Sequence, residues 1–120
     1  MEKLILFVDD EVDWRNMVTT YLQSEGYTVA AAKDATEAMR ITEGMLLGLI
    51  ILDVNLAGES GAILMKFLKH NHPGVPIVLF TVEKHTEEQV RGFLQQGAQR
   101  YVHKGGPLTD LLKAIKELFH

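Results

Sequence analysis

Two hydrophobic periodicities alternate along the chain. Residues 3–8 (KLILFV) form a nearly unbroken apolar run, the pattern of a strand covered on both faces. Over residues 11–25 the apolar positions Trp14, Met17, Val18, Tyr21 and Leu22 recur at helical spacing, and Gly26 supplies a stop. Residues 27–31 predict a second strand. Asp34 followed by Glu37 has capping-box spacing and opens a second helix, which Gly44 closes. Residues 47–52 (LGLIIL) are apolar at almost every position, as in a central strand. A third helix begins near Ser60 with Ile63, Leu64, Phe67 and Leu68 on one stripe, and Pro73 and Pro76 bracket the turn after it. A fourth strand follows at 75–80, then a fourth helix marked by Val90, Phe93 and Leu94 and ended by Gly97, then a fifth strand at 100–103. Pro107 suits the first turn of a last helix whose inner face is Leu108, Leu111, Leu112, Ile115 and Leu118.

Strand–helix units joined this closely require parallel strands and right-handed crossovers. The expected architecture is α/β: a three-layer, doubly wound (βα)5 fold with a five-stranded parallel sheet. At 120 residues, with periodicity running to Phe119, the chain reads as one domain over 1–120. Its 47% hydrophobic and 23% charged residues are ordinary for a soluble globular protein. The absence of cysteine excludes disulfides and thiolate metal sites and suits a reducing compartment. No apolar run approaches the roughly 20 residues that span a bilayer. The first residues lead straight into a strand rather than a cleavable leader, so a cytoplasmic location is expected. A net charge of −4 with scattered basic residues argues against direct nucleic-acid contact. The densest charge cluster is acidic: Asp9, Asp10, Glu11 and Asp13.

In doubly wound sheets ligands bind at the carboxyl ends of the strands. Those ends carry Asp9 and Asp10 after the first strand, Asp53 after the third, Thr81 at the fourth and Lys104 after the fifth. Singly, each has a bland explanation: an Asp after a strand caps a turn, a Thr favours strands, a Lys before Gly-Gly is solvated. Together they place three carboxylates, a hydroxyl and an ammonium in one crevice. Two carboxylates about 4 Å apart repel by roughly 4 kcal/mol at an effective dielectric near 20, so three of them call for a cation. Hard oxygen ligands with an incomplete shell suit Mg²⁺. Lys104 reads less as an ion-pair partner of all three than as a clamp for a phosphoryl oxygen, with Thr81 bonding another. Asp53 is then the candidate nucleophile.

At these positions the chain resembles the response-regulator receiver family, the phosphorylatable partners of histidine kinases. The motifs that carry the likeness are LFVDDE (6–11), ILDVNLAGESG (51–61), VLFT (78–81) and YVHK (101–104), within a resemblance running from Leu4 to Phe119. It implies a flavodoxin-like fold with strand order 2-1-3-4-5. It also implies a phosphoacceptor signalling switch of a two-component system rather than an enzyme acting on other substrates. Asp53 would take a phosphoryl group from the phosphohistidine of a histidine kinase or phosphotransfer protein. Asp10, Asp53 and the backbone carbonyl of Asn55 would ligate Mg²⁺, with Asp9 acting mainly through water. Thr81 and Lys104 would bind phosphoryl oxygens, and Tyr101 would be the aromatic that rotates inward when Thr81 shifts. The changing surface would be the fourth helix, fifth strand and fifth helix, read by a downstream protein. A homodimer through the fourth-helix face is another arrangement open to it.

Three departures from the family pattern set expectations. Ala57 stands where proline is usual, with Gly58 and Gly61 keeping the turn. Val82 replaces the usual Ala or Gly and is expected to narrow access to Asp53. Gly105-Gly106 replace a proline, commonly cis, and are expected to leave Lys104 less rigidly held. Gly92 costs the fourth helix about 1 kcal/mol relative to Ala and suggests an easily remodelled element. Asn55 and Glu83 flank the path of an attacking water, and their polarity suggests hydrolysis in seconds to minutes. A haloacid-dehalogenase-like phosphatase would resemble D-x-D-x-T, but positions 55 and 57 are Asn and Ala. A flavin or nucleotide binder needs a Gly-, Ser- or Thr-rich first loop, and Asp9-Asp10-Glu11 repel phosphate. A pseudo-receiver, acting only as an interaction module, is the standing alternative. His70, His72, His85, His103 and His120 show no ligand spacing, Trp14 reads as core, and Lys113 and Lys116 read as a solvated face.

Overall fold

The computed structural model describes residues 3–56 and 59–119. The turn expected at Ala57 and Gly58 lies outside the described residues. Five strands, β1 (Leu4–Val8), β2 (Val29–Ala32), β3 (Leu47–Leu52), β4 (Ile77–Thr81) and β5 (Arg100–His103), pair in parallel in the order 2-1-3-4-5. Five helices connect and follow them: α1 (Val12–Ser24), α2 (Ala35–Thr42), α3 (Gly61–Asn71), α4 (Glu87–Gln95) and α5 (Leu108–Leu118). Where the chain leaves β3, Asn55–Leu56 pairs antiparallel with Glu59–Ser60. Among the described residues no helix is long and apolar enough to cross a membrane.

Successive side chains on a strand point to opposite faces, and here both faces are filled. Leu6, Val8, Ile50, Leu52, Ile77 and Leu79 pack with Ala38 of α2 and Leu64, Met65 and Leu68 of α3. Ile5, Phe7, Leu49, Ile51, Val78 and Phe80 pack with Val18 and Leu22 of α1 and Leu111, Leu112 and Ile115 of α5. Every residue of β3 is buried, which explains its unbroken apolar sequence.

The element pattern follows the sequence reading, with shifts that have local causes. β2 starts at Val29 because the Tyr27 amide is spent on the end of α1, donating to the Leu22 carbonyl at 3.1 Å. β4 starts beyond Pro76, whose carbonyl accepts from Ile50 at 2.9 Å, and ends on Thr81. Pro107 sits one position before the helix, as the N-cap of α5. Asp34 caps α2 as expected, accepting from the Glu37 amide at 2.8 Å.

The stripe expected on α3 is corrected. The buried positions are Gly61, Leu64, Met65 and Leu68, while Ile63 is 71% and Phe67 39% exposed. Gly61 sets this phase: its amide donates to the Val54 carbonyl at 3.2 Å, and a Cβ there would collide with the Val54 backbone. The helix therefore starts pressed against the segment just after β3, and the residues at i+3, i+4 and i+7 turn inward with it.

α4 is capped by Thr86 and Gln89, which exchange hydrogen bonds as a capping box, yet it contains no buried residue. A Cβ on Gly92 would meet nothing within 4 Å. Gly92→Ala is therefore expected to stabilise α4 by about 1 kcal/mol, read as slower amide exchange across residues 87–95. Unchanged exchange there would remove the idea that this glycine loosens the helix.

Candidate functional site

The hydrogen-bond ladder of the sheet continues one residue past the ends of β1, β3 and β5. The Asp9 amide donates to the Ala32 carbonyl at 3.0 Å, Asp53 to Val8 at 3.1 Å and Lys104 to Thr81 at 2.8 Å. Asp9, Asp53, Thr81 and Lys104 are thereby held at one height on one edge. They are four of the five buried polar residues among those described, Thr42 being the other.

The Lys104 ammonium lies 2.5 Å from Asp9 Oδ2 and 2.8 Å from Asp53 Oδ2, with its side chain 2% exposed. The remaining oxygens are used as well: Asp9 Oδ1 accepts from the Glu11 amide and Asp53 Oδ1 from the Asn55 amide, each at 2.9 Å. Arg15 donates to the Asp9 carbonyl at 2.8 Å and ties α1 to the site. One carboxylate oxygen each from Asp9, Asp10 and Asp53 lie within 4.8 Å of one another.

Lys104 is an ion-pair partner of two of the three carboxylates, Asp9 and Asp53, because β5 ends beside β4 and the four-carbon stem reaches across the edge. Buried carboxylates left without such a partner would cost several kcal/mol each. The looseness expected from Gly105-Gly106 is opposed by the His103 imidazole, which accepts from the Gly105 amide at 3.0 Å and meets the Val82 carbonyl at 2.8 Å.

Burial and the close charges act on the Asp9 carboxyl and the Lys104 ammonium in different proportions. Burial pushes the Asp9 carboxyl above its usual range, and the Asp53 charge adds to this, against the bonds from Lys104 and the Glu11 amide. Burial would lower Lys104, but its bonds to Asp53 and Asp9 and their charges hold it above the ordinary lysine value. One ammonium stands among three carboxylates, and two of them share it. A hard divalent cation fits this donor set, with Asp9, Asp10 and Asp53 as the side chains able to hold it.

Around this centre the structure adds residues that the sequence reading passed over. Trp14, read as core, also stands with its ring centroid 4.8 Å from the Lys104 ammonium, and Phe80 lies 5.7 Å from it. Its position in the first turn of the helix after the acidic loop was the available signal. Asn55 and Glu83 are joined directly, the Asn55 side-chain amide donating to the Glu83 carboxylate. The Tyr101 hydroxyl donates to the Glu83 carbonyl at 2.7 Å and meets His85 Nδ1 at 2.5 Å. The Tyr101 ring stacks on Phe93 of α4, 6.4 Å away. Thr81 Oγ accepts from the Glu83 amide at 3.4 Å. Glu83 thus touches Asn55, Thr81 and Tyr101, while the Val82 side chain beside it stands in solvent, the residue being 56% exposed.

Lys104→Met is expected to cost about 3 kcal/mol in urea denaturation with chelator present, since it strips a buried pair of carboxylates of their cation. Added Mg²⁺ should restore part of the loss by binding only the folded state. The pH sign follows from the raised lysine: its stabilisation is complete below the unfolded lysine value and lost as pH rises through the higher folded one. Lys104→Met should lack that alkaline loss. Equal stability of variant and parent in chelator would refute this account.

A family model described as the response regulator receiver domain matches residues 5–116. The protein PetR of Rhodobacter capsulatus is 34% identical over 114 residues, covering 95% of this chain and 47% of that protein. The DNA-binding response regulator MtrA of Mycobacterium tuberculosis is 35% identical over 116 residues, covering 97% of this chain and 50% of that protein. The chain spans about half the length of these curated relatives. Among solved structures, the chemotaxis protein CheY4 of Vibrio cholerae superposes with a TM-score of 0.89 at 28% identity, covering 99% of this chain and 100% of that one. A CheY-like receiver domain protein from Methanospirillum hungatei does so at 0.85 and 31% identity, covering 98% of this chain and 93% of that one. The family match takes in the acidic, threonine and lysine positions at the sheet edge, and the chain belongs to the response regulator receiver domain family of two-component signalling.

Proposed function

We propose that this domain is a phosphoacceptor switch that takes a phosphoryl group onto Asp53 from a histidine kinase or phosphotransfer protein. The observation that carries the reading is the buried Lys104 bridge to Asp53 in a cluster short of positive charge. Asp10, Asp53 and the Asn55 carbonyl would hold Mg²⁺, with Asp9 acting mainly through water. When bound, the ion supplies charge neutralisation for the approaching phosphoryl oxygens.

One Asp53 carboxylate oxygen attacks phosphorus as the donor's N–P bond breaks, and the electron pair stays on the imidazole nitrogen, which takes a proton from solvent. Lys104 exchanges its bond to Asp53 for a charge-assisted bond to a phosphoryl oxygen. Thr81 gives up the Glu83 amide and donates its hydroxyl proton to another phosphoryl oxygen. That movement releases the Glu83 amide, and the Glu83 carbonyl receives Tyr101, which leans on α4 through Phe93. An element with nothing buried responds at low cost. The state-dependent surface is then α4, β5 and α5, open to a downstream protein or a second copy of the domain. The chemistry acts on the domain's own aspartate, so it is a switch and not an enzyme for other substrates. The reading places it in the cytoplasm. Its partner classes are the phosphodonor and that downstream protein, with no direct nucleic-acid contact by this domain, in keeping with its net charge of −4.

Incubation with Mg²⁺ and acetyl phosphate should add one phosphoryl group by intact mass, and Asp53→Asn or chelator should abolish it. An unlabelled wild type would favour the pseudo-receiver, and equal label on Asp53→Asn would move the acceptor elsewhere. Val82→Ala should label faster than wild type, and an unchanged rate would remove the steric role given to Val82.

A further inference from the structure

The imidazole of His103 crosses the gap between the segment after Thr81 and the loop that carries Lys104. Its Nε2 lies 2.8 Å from the Val82 carbonyl oxygen, and its Nδ1 lies 3.0 Å from the Gly105 backbone nitrogen. A carbonyl only accepts and a backbone N–H only donates. A hydrogen on Nε2 with a bare Nδ1 is therefore the arrangement that satisfies both contacts. The opposite tautomer would set two lone pairs against each other at one end and two hydrogens at the other.

The ring also explains the glycine beneath it. A Cβ at position 105 would fall 2.5 Å from His103 Cε1 and 2.7 Å from Nδ1. Gly105 is not among the residues with positive φ, so the demand is for space rather than for an unusual backbone. His103 and Gly105 form a matched pair in which the ring occupies the volume that a side chain would take.

These bonds bracket Lys104. Its own amide donates to Thr81, the next residue Val82 is tied to the ring, and Gly105 on the other side is tied to the same ring. The Gly106 amide returns to the His103 carbonyl at 3.2 Å and closes the turn. The lysine stem thus leaves a main chain fastened before and after it.

We propose that His103 is a positioning residue for Lys104. Its imidazole staples the chain after β4 to the lysine loop and sets where the ammonium stands when Asp53 is phosphorylated. The proposal rests on the phosphoacceptor reading. It adds a mechanical link, because displacement of Val82 along with Thr81 is passed through the ring to the lysine loop.

The test compares wild type with His103→Ala, His103→Gln and Gly105→Ala. Labelling by acetyl phosphate at saturating Mg²⁺ should slow about tenfold in His103→Ala and Gly105→Ala through misplacement of Lys104. Mg²⁺ affinity, followed by fluorescence of the sole tryptophan Trp14, should hold within about twofold, since the carboxylates are untouched. His103→Gln carries an acceptor and a donor on one amide and should recover at least about half of the wild-type rate. Ring ¹⁵N spectra of wild type should show a protonated Nε2 and a bare Nδ1. The proposal is overturned by a His103→Ala rate equal to wild type, by a glutamine variant as slow as alanine, or by a neutral ring that carries its hydrogen on Nδ1. Should His103→Ala not fold, the other two variants and the ring spectrum decide. If wild type takes no label, the phosphoacceptor reading fails. The staple is then judged separately by the ring spectrum and by Gly105 amide exchange, faster in the variants if it exists and unchanged if it does not.

Discussion

Two carboxylates withdrawn from water at the end of a parallel sheet cannot stand side by side unless a positive charge comes with them. In this domain that charge is the Lys104 ammonium, shared between Asp9 and Asp53 and shielded by Trp14 and Phe80. The main-chain bonds that carry the ladder beyond β1, β3 and β5 serve the same end, because they fix the height at which three charges meet. One ammonium for three carboxylates leaves the edge net negative, a donor set suited to a hard cation.

The sheet separates two tasks. The face covered by α1 and α5 and the part covered by α2 and α3 hold the fully buried side chains, while α4 contributes only the partly buried Phe93. Burial, and the stability that comes with it, is therefore concentrated away from α4. The contacts leading outward from the acidic edge, through Glu83 to Tyr101 and on to Phe93, run toward the helix with least to lose.

How legible each part was in the sequence depends on how local its cause is. β3 announced itself because a strand buried on both faces tolerates apolar residues throughout. Asp9, Asp53, Thr81 and Lys104 could be grouped without coordinates, since parallel strands put their carboxyl ends on one edge. The inner face of α3 could not be read the same way. Its run Gly61, Ala62, Ile63, Leu64, Met65 is apolar all round, so hydrophobicity carries no phase, and the phase comes from the contact between Gly61 and Val54. Trp14, His85 and His103 escaped for a related reason. Each acts through partners distant in sequence or through backbone atoms, and neither spacing nor residue type announces such contacts.

Gly61 and Gly92 lie in neighbouring helices, and their surroundings impose opposite rules on a side chain. At position 61 even one methyl group would meet main chain that cannot yield without displacing the loop beside Asp53, whereas at position 92 the same methyl would project into open space. Mutational drift should therefore be filtered very unequally at two positions of identical chemistry. The first is a mould whose emptiness keeps the loop after Asp53 in shape. The second is a blank on which lineages can write stiffness, setting how firmly α4 holds together without touching the acidic edge of the sheet.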